Sequence, residues 1–403
     1  MTKRSAPCRA PLSPKEPSLS PKPLPKRLYA LALAAFFPVY YSLYVIGAHV
    51  WGYGLVTACF IGLMALWRQG LWHGWRCAIC FLLAMGVSIG ALYISRPRQD
   101  VSLPGQIGSG TVRVFTRLFQ LDTQNSTDML PTGFWEPPEG YDLTIVSLNT
   151  CQAELLTRNG SQSPYAVLQL HGGAFVSGLF DVYRFMAVRY CDMAQGAAVL
   201  TVDYRLFPRY AYPSQQNDVM DAWCYLTQTL GYSPKNILVA GDSAGGNLAL
   251  NLALRLRDEG AEMPAALVLL SPWADLSNAG ASHIDNATKD PTFGLPASEW
   301  DGLTPVGVKS TYADGLNARD PYLSPSYADY AGFPPMLLQA GELEVLLSDS
   351  EAIYQNALAH GVDVTFTVYP GMFHVFQGSL DLLPESREAW AEIAAFVQRT
   401  LKP

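Results

Sequence analysis

A chain of 403 residues is too long for one small domain and suits one large α/β domain joined to a further segment. Its hydrophobic share of 49% against 15% charged exceeds that of an ordinary soluble domain, and the excess is concentrated before residue 95. The net charge of −7 conceals a basic start; no basic run follows it, which argues against a nucleic-acid partner.

Residues 1–27 read as a disordered tail. Lys3, Arg4, Arg9, Lys15, Lys22, Lys26 and Arg27 face a single acid, Glu16, among frequent Pro and Ser. Residues 28–67 contain no Asp, Glu, Lys or Arg. A helix of that length would extend about 60 Å, twice a bilayer core of about 30 Å. Two spans are therefore expected, broken near Gly52 and Gly54, with a kink at Pro38. After a polar stretch at 68–76, the uncharged run 77–95 is long enough for a third span. Residues 28–95 thus read as a transmembrane region of two to three spans, with Trp51, Tyr53, Trp67, Trp72 and Trp75 near its interfaces. A cleaved signal peptide would be far shorter. The competing reading makes part of 51–95 into helices packed on the soluble domain or lying in the interface.

The basic tail is expected on the cytosolic side. One or three spans then place the remainder in the lumen of the endoplasmic reticulum, the favoured arrangement, and two place it in the cytosol. Arg96 and Arg98 weigh against the lumen. The glycosylation triplets Asn125-Ser126-Thr127, Asn159-Gly160-Ser161 and Asn286-Ala287-Thr288 weigh for it.

Residues 96–163 read as a linker and irregular approach to a cap, with one short strand at 141–148. From 164 to 403 the pattern changes. Apolar strands are expected at 165–170, 197–203, 236–240, 265–270, 336–339 and 362–369, with helices at 216–230, 247–257 and 348–360. Short buried strands alternating with helices predict an α/β fold with a mostly parallel sheet. Of seven cysteines, Cys77 and Cys80 form a C-x-x-C with no second pair, a weak redox or zinc signal. Cys151, Cys191 and Cys224 allow one disulfide at most.

The sharpest chemical signal is Gly241-Asp242-Ser243-Ala244-Gly245, directly after a strand and before a helix. That is the context of a nucleophile elbow, in which small neighbours let strand and helix approach while the serine hydroxyl projects. The second signal is His171-Gly172-Gly173-Ala174 at the end of the strand 165–170. Acyl transfer builds negative charge on a carbonyl oxygen, and preorganised backbone N–H groups stabilise it. Gly172 and Gly173 are assigned as oxyanion donors, together with Ala244.

The triad must run in the order serine, acid, histidine, so the base must follow both of the others. His374 lies just past the last strand; His49, His73, His171 and His283 fail on chain order, and His360 ends a helix. The acid should follow the strand 336–339, where Glu342, Glu344 and Asp349 are all candidates. Asp242 reads as structural.

The stretches HGGAF, DYRLFP, GDSAGGNLAL, LLSPWADLS, DPYLSP, QAGELEVLLSDS and GMFHVF, in this order over about 163–400, resemble the hormone-sensitive-lipase-like family of α/β-hydrolases. Its membrane-anchored members, the arylacetamide deacetylases and fungal steryl acetyl hydrolases, are also similar. The resemblance implies an α/β-hydrolase fold with a helical cap and places the acid at Glu344, where many relatives carry Asp. It implies that Asp203, Tyr204 and Arg205 support the oxyanion loop. Ala174 departs from the usual third glycine, which bears on the shape of the pocket.

The expected reaction is carboxylic ester hydrolysis through an acyl-serine. It needs no metal or organic cofactor, and its substrate is an apolar small-molecule or lipid ester. An insertion at about 277–327, with 96–163, is expected to form the cap. Two alternatives share the fold: an amidase or deacetylase with the same triad, and a non-catalytic receptor for a small ligand, in which the base histidine is lost.

Overall fold

A computed structural model describes residues 26–68, 75–119, 133, 135–308 and 310–401. Most of the basic tail, the centre of the polar stretch 68–76 with His73, and the Asn125 triplet lie outside the described residues. The chain divides into two compact units, one of residues 1–44 and 48–96, the other of 45–47 and 97–403.

The first unit carries three apolar helices, α1 (Lys26–Ile46), α2 (Val50–Arg68) and α3 (Trp75–Ile94). Phe36 packs edge-on against Phe60 and Phe81, and Tyr40 Oη lies 2.8 Å from Thr57 Oγ1. The break between α1 and α2 falls earlier than expected. Gly47 at φ +64° ends α1, because a left-handed residue terminates a helix and glycine takes that conformation without a Cβ clash. Gly52 and Gly54 lie inside α2. Pro38 is within α1. Among the described residues no helix is long and apolar enough to cross a membrane, so the two to three spans expected at 28–95 are not shown.

The second unit is built on one eight-stranded sheet in the order β1-β2-β4-β3-β5-β6-β7-β8. Its strands are β1 (Tyr141–Ser147), β2 (Gln152–Arg158), β3 (Ala166–Leu170), β4 (Ala198–Asp203), β5 (Ile237–Asp242), β6 (Ala266–Leu270), β7 (Met336–Gly341) and β8 (Val364–Tyr369). The β1–β2 and β2–β4 pairs are antiparallel and the rest are parallel. The helices are α4 (Leu103–Phe119), α5 (Asp181–Met193), α6 (Ser214–Cys224), α7 (Ala244–Asp258), the four-residue α8 (Ser282–Asp285), α9 (Leu347–Ala359) and α10 (Pro384–Thr400).

β3, β5, β6 and β7 are buried along their whole length, as parallel strands covered on both faces must be. Leu168, Leu170, Val239 and Leu269 enter the core on the α7 side; Val167, Leu238, Ala240 and Val268 enter the one that contains side chains of α5 and α10. Leu168→Ala is expected to lower stability by about 2–5 kcal/mol, read from the midpoint of urea unfolding.

Two expectations need correction. Residues 97–163 are more than an irregular linker: they supply α4 and the β1–β2 hairpin, which extends the sheet through β2–β4 pairing. Although α4 bonds to it through Arg113 and Thr116, the insertion at 277–327 does not by itself supply a helical cap. Among its described residues it holds only α8 and a single 3-10 turn at Pro325–Tyr327. Cys59, Cys80, Cys151, Cys191 and Cys224 are free.

Candidate active site

β5 ends at Asp242, and α7 begins at Ala244. Between them Ser243 has φ +51° and ψ −120°, a conformation that costs a non-glycine residue about 1–3 kcal/mol. The neighbouring chain is close enough to require glycine: a Cβ on Gly245 would lie 2.0 Å from the carbonyl oxygen of Leu170. Ser243 N–H donates to Leu270 O at 2.9 Å, and Ser243 O accepts from Trp273 N–H at 3.0 Å. The elbow is thereby tied to the turn that follows β6.

His374 follows β8, and its Nδ1 lies 2.8 Å from Glu344 Oε2. Glu344 is buried. Its other oxygen, Oε1, accepts from Ser271 Oγ at 2.7 Å and from the N–H of Gly341. Ser271 Oγ in turn accepts the N–H of Val375 at 3.2 Å. The short segment after β6 therefore touches all three regions: Leu270 and Trp273 hold Ser243, and Ser271 holds Glu344 and the residue after His374. No hydrogen bond joins Ser243 to His374; catalytic contacts of this kind are often long until substrate tightens them.

The other acid candidates are engaged elsewhere. Asp349 Oδ2 accepts the N–H groups of Ala274 and Asp275, both at 2.8 Å, while Oδ1 lies 3.3 Å from His283 Nε2. Glu342 accepts Gly371 N–H at 2.7 Å and pairs with Arg98 at 2.9 Å. Burial alone would lower the pKa of His374, but the hydrogen bond and charge of Glu344, with Asp290 and Asp242 adding to it, leave the net shift upward. Acting as a base, His374 would work when neutral, so the expected result is a kcat/KM that rises with pH through a midpoint above the ordinary histidine value of about 6.5. A profile from pH 5 to 9 with an uncharged p-nitrophenyl ester, at concentrations well below KM, would measure it.

The oxyanion assignment needs one correction. Gly172 N–H donates to Tyr183 Oη at 2.9 Å, so that donor is already used within the protein. Tyr183 Oη then donates to Asp242 Oδ2 at 3.1 Å. The N–H groups of Gly173 and Ala174 make no hydrogen bond among the described residues, and Ala244 opens α7, where first-turn N–H groups lack helical partners. Burial pushes Asp242 up to about 7, against the Tyr183 hydrogen bond. The loop is supported from below: Tyr204 stacks on the buried His171 at 4.0 Å and donates from Oη to His171 O at 2.8 Å. Arg205 holds Asp218 through paired hydrogen bonds, whereas Asp203 is exposed.

Sequence patterns gave no warning of Tyr183, Asn286, Asp290 or Phe293. Asn286 Nδ2 donates to the carbonyls of Glu342 and Glu344 at 2.9 and 2.8 Å. Asp290 accepts from Thr292, Phe293 and Val345 N–H groups, and the Phe293 ring sits 4.9 Å from the His374 ring. These contacts tie the insertion to the segments that carry Glu344 and His374. Among the described residues no group of three or more His, Cys, Asp or Glu is arranged to hold a metal.

A family model of the alpha/beta hydrolase fold matches residues 167–378, more than half of the chain, with Ser243, Glu344 and His374 inside the matched span. An acetyl-hydrolase of Streptomyces hygroscopicus is 37% identical over 63% of this chain and 82% of its own length. The carboxylesterase/phospholipase LipF of Mycobacterium tuberculosis is 33% identical over 67% of this chain and 74% of its own. Among solved structures, an esterase from the bacterial hormone-sensitive lipase family is similar at a TM-score of 0.62 and 31% identity, over 75% of this chain and 99% of that one. On these likenesses the chain belongs to the α/β-hydrolases, in their hormone-sensitive-lipase-like branch, and is a serine hydrolase of carboxylic esters.

Proposed function

We propose that Ser243 is the nucleophile, His374 the base and Glu344 the acid of this esterase. The observation that carries the assignment is the 2.8 Å contact of Glu344 with His374 Nδ1, which leaves Nε2 as the nitrogen that exchanges a proton. His374 Nε2 takes the proton of Ser243 as Oγ attacks the ester carbonyl carbon. Glu344 stabilises the imidazolium. The oxyanion is received by the N–H groups of Gly173, Ala174 and Ala244. The intermediate collapses, His374 returns the proton to the leaving alcohol, and an acyl-serine remains. Water, deprotonated by His374, then releases the carboxylic acid.

The substrate we infer is a small apolar or lipid ester with a short acyl group. Relatives named acetyl-hydrolase and esterase favour this reading. The test is fluorophosphonate labelling followed by a panel from p-nitrophenyl acetate to sterol acetates, with matched aryl amides. Faster turnover of amides than of matched esters would replace this reading with the amidase one. Tight binding of a small ligand without turnover would replace it with the receptor.

We further infer that the N-terminal unit attaches the enzyme to a membrane, with the catalytic unit in the lumen of the endoplasmic reticulum. The support is the number of large apolar side chains that α1–α3 turn outward, among them Phe37, Val50, Leu82, Leu83 and Ile94. A water-facing surface seldom presents such a set. One glycosylation triplet must be withdrawn: Asn286 is buried, with its amide nitrogen bonded to two carbonyls. Asn159 is exposed in the turn after β2 and remains the acceptor to test. Carbonate extraction, glycosidase digestion of wild type and Asn159→Gln, and protease protection on sealed microsomes would test both points. A carbonate-soluble protein, or an unglycosylated catalytic unit digested without detergent, would overturn them.

A further inference from the structure

The motif LLSPWADLS contributes a residue for which the reaction scheme has no role. Ser271 is fully buried one position after β6, at φ +47°. Side-chain-bearing residues avoid that conformation, and glycine would be the simple choice for the backbone. The hydroxyl is what glycine lacks, and it is fully used. It donates to Glu344 Oε1 at 2.7 Å and accepts the N–H of Val375, next to His374, at 3.2 Å. Ser271 N–H donates to Gln339 O of β7 at 2.7 Å, which fixes the residue that presents this hydroxyl.

We propose that Ser271 is a positioning residue for the catalytic pair: one buried hydroxyl sets the rotamer of Glu344 and the height of the His374 loop together. The inference rests on the triad reading above. Glu344 has two oxygens, and only one can face His374 Nδ1. Ser271 and Gly341 donate to Oε1 and so turn Oε2 toward the imidazole. Through Val375 the same oxygen limits how far the base can move from the acid. Because Leu270 and Trp273 on either side bond to Ser243, the strut is referenced to the nucleophile. Without the hydroxyl, Gly341 N–H alone would orient the carboxylate, and the acid–base contact would weaken.

Ser271→Gly is the decisive variant, since it removes the hydroxyl and relaxes the backbone; Ser271→Ala removes the hydroxyl and keeps the left-handed cost. Both should lower kcat by about 10- to 100-fold, the scale of a hydrogen bond to a charged group, with KM changed less than about threefold. The midpoint of the acid limb of kcat/KM should fall, because His374 loses part of the carboxylate that raises it. In a Glu344→Gln background, Ser271→Gly should add less than about a threefold further loss, since the carboxylate through which Ser271 acts on His374 is already gone. Thermal unfolding of each variant checks the fold; if the alanine variant fails to fold, the glycine variant decides. Wild-type kcat in folded Ser271→Gly, an unmoved pH midpoint, or losses that multiply in the double variant would overturn the proposal. High activity of Glu344→Gln alone would instead overturn the triad reading.

Discussion

Ser243→Ala is expected to reduce ester hydrolysis by about 10³-fold or more while the protein remains folded. The side chain of Ser243 makes no hydrogen bond among the described residues, so its removal leaves no buried partner unsatisfied. The backbone bonds to Leu270 and Trp273 that hold the elbow persist in alanine. The positive φ of the elbow costs alanine about as much as serine, so stability should change by less than about 1 kcal/mol. What disappears is the only group that can carry the acyl chain. Residual rate would come from substrate binding and the N–H groups of Gly173, Ala174 and Ala244. The measurement is kcat/KM on p-nitrophenyl butyrate with fluorophosphonate labelling and circular dichroism in parallel. Full labelling of the folded variant would put the nucleophile elsewhere.

The parts of the fold that sequence pattern reveals are those with strong periodicity. β3, β5, β6 and β7 are short continuous apolar runs, which only a strand covered on both faces explains at that length. β2 was invisible because Gln152, Glu154, Thr157 and Arg158 break any alternation, and Glu154 is buried only through its pairing with Arg184. Helix α4 was hidden by Gly105, Gly108 and Gly110, residues poor for helices in isolation. In the fold one of them has a neighbour that requires it: a Cβ on Gly110 would lie 2.0 Å from the backbone carbonyl oxygen of Val45. Ser243 and His374, the nucleophile and base we propose, could be read from the sequence because chemistry fixes the chain order of such groups and their places after strands. The use of Gly172 N–H by Tyr183 could not, since it depends on a contact across eleven residues between a loop and α5. The acid sat between. Three carboxylates follow β7; the residues alone leave them open, the family resemblance points to Glu344, and their hydrogen-bond partners separate it from Glu342 and Asp349.

Glu344→Gln should therefore impair turnover by about 10³-fold or more, and far more than Asp349→Asn. The amide is nearly the shape of the carboxylate, and two donors decide how it sits. Ser271 Oγ–H and Gly341 N–H both point at Oε1, so the amide oxygen must take that place. The NH2 group then faces His374 Nδ1, where Oε2 stood. An NH2 can only donate, so Nδ1 must accept, and the imidazole proton moves to Nε2. A histidine protonated on Nε2 cannot receive the proton of Ser243. The loss falls on kcat through the tautomer, with the pocket intact. Asp349→Asn meets different partners. Its Oδ2 serves two backbone N–H groups at 274 and 275, and Oδ1 lies toward His283. With the amide oxygen kept on the N–H pair, that variant should lose about 1–3 kcal/mol of stability but less than about tenfold in kcat. Purified variants assayed with the same ester, with urea midpoints measured beside the rates, give the ranking. A larger fall in kcat for folded Asp349→Asn than for Glu344→Gln would move the acid to Asp349.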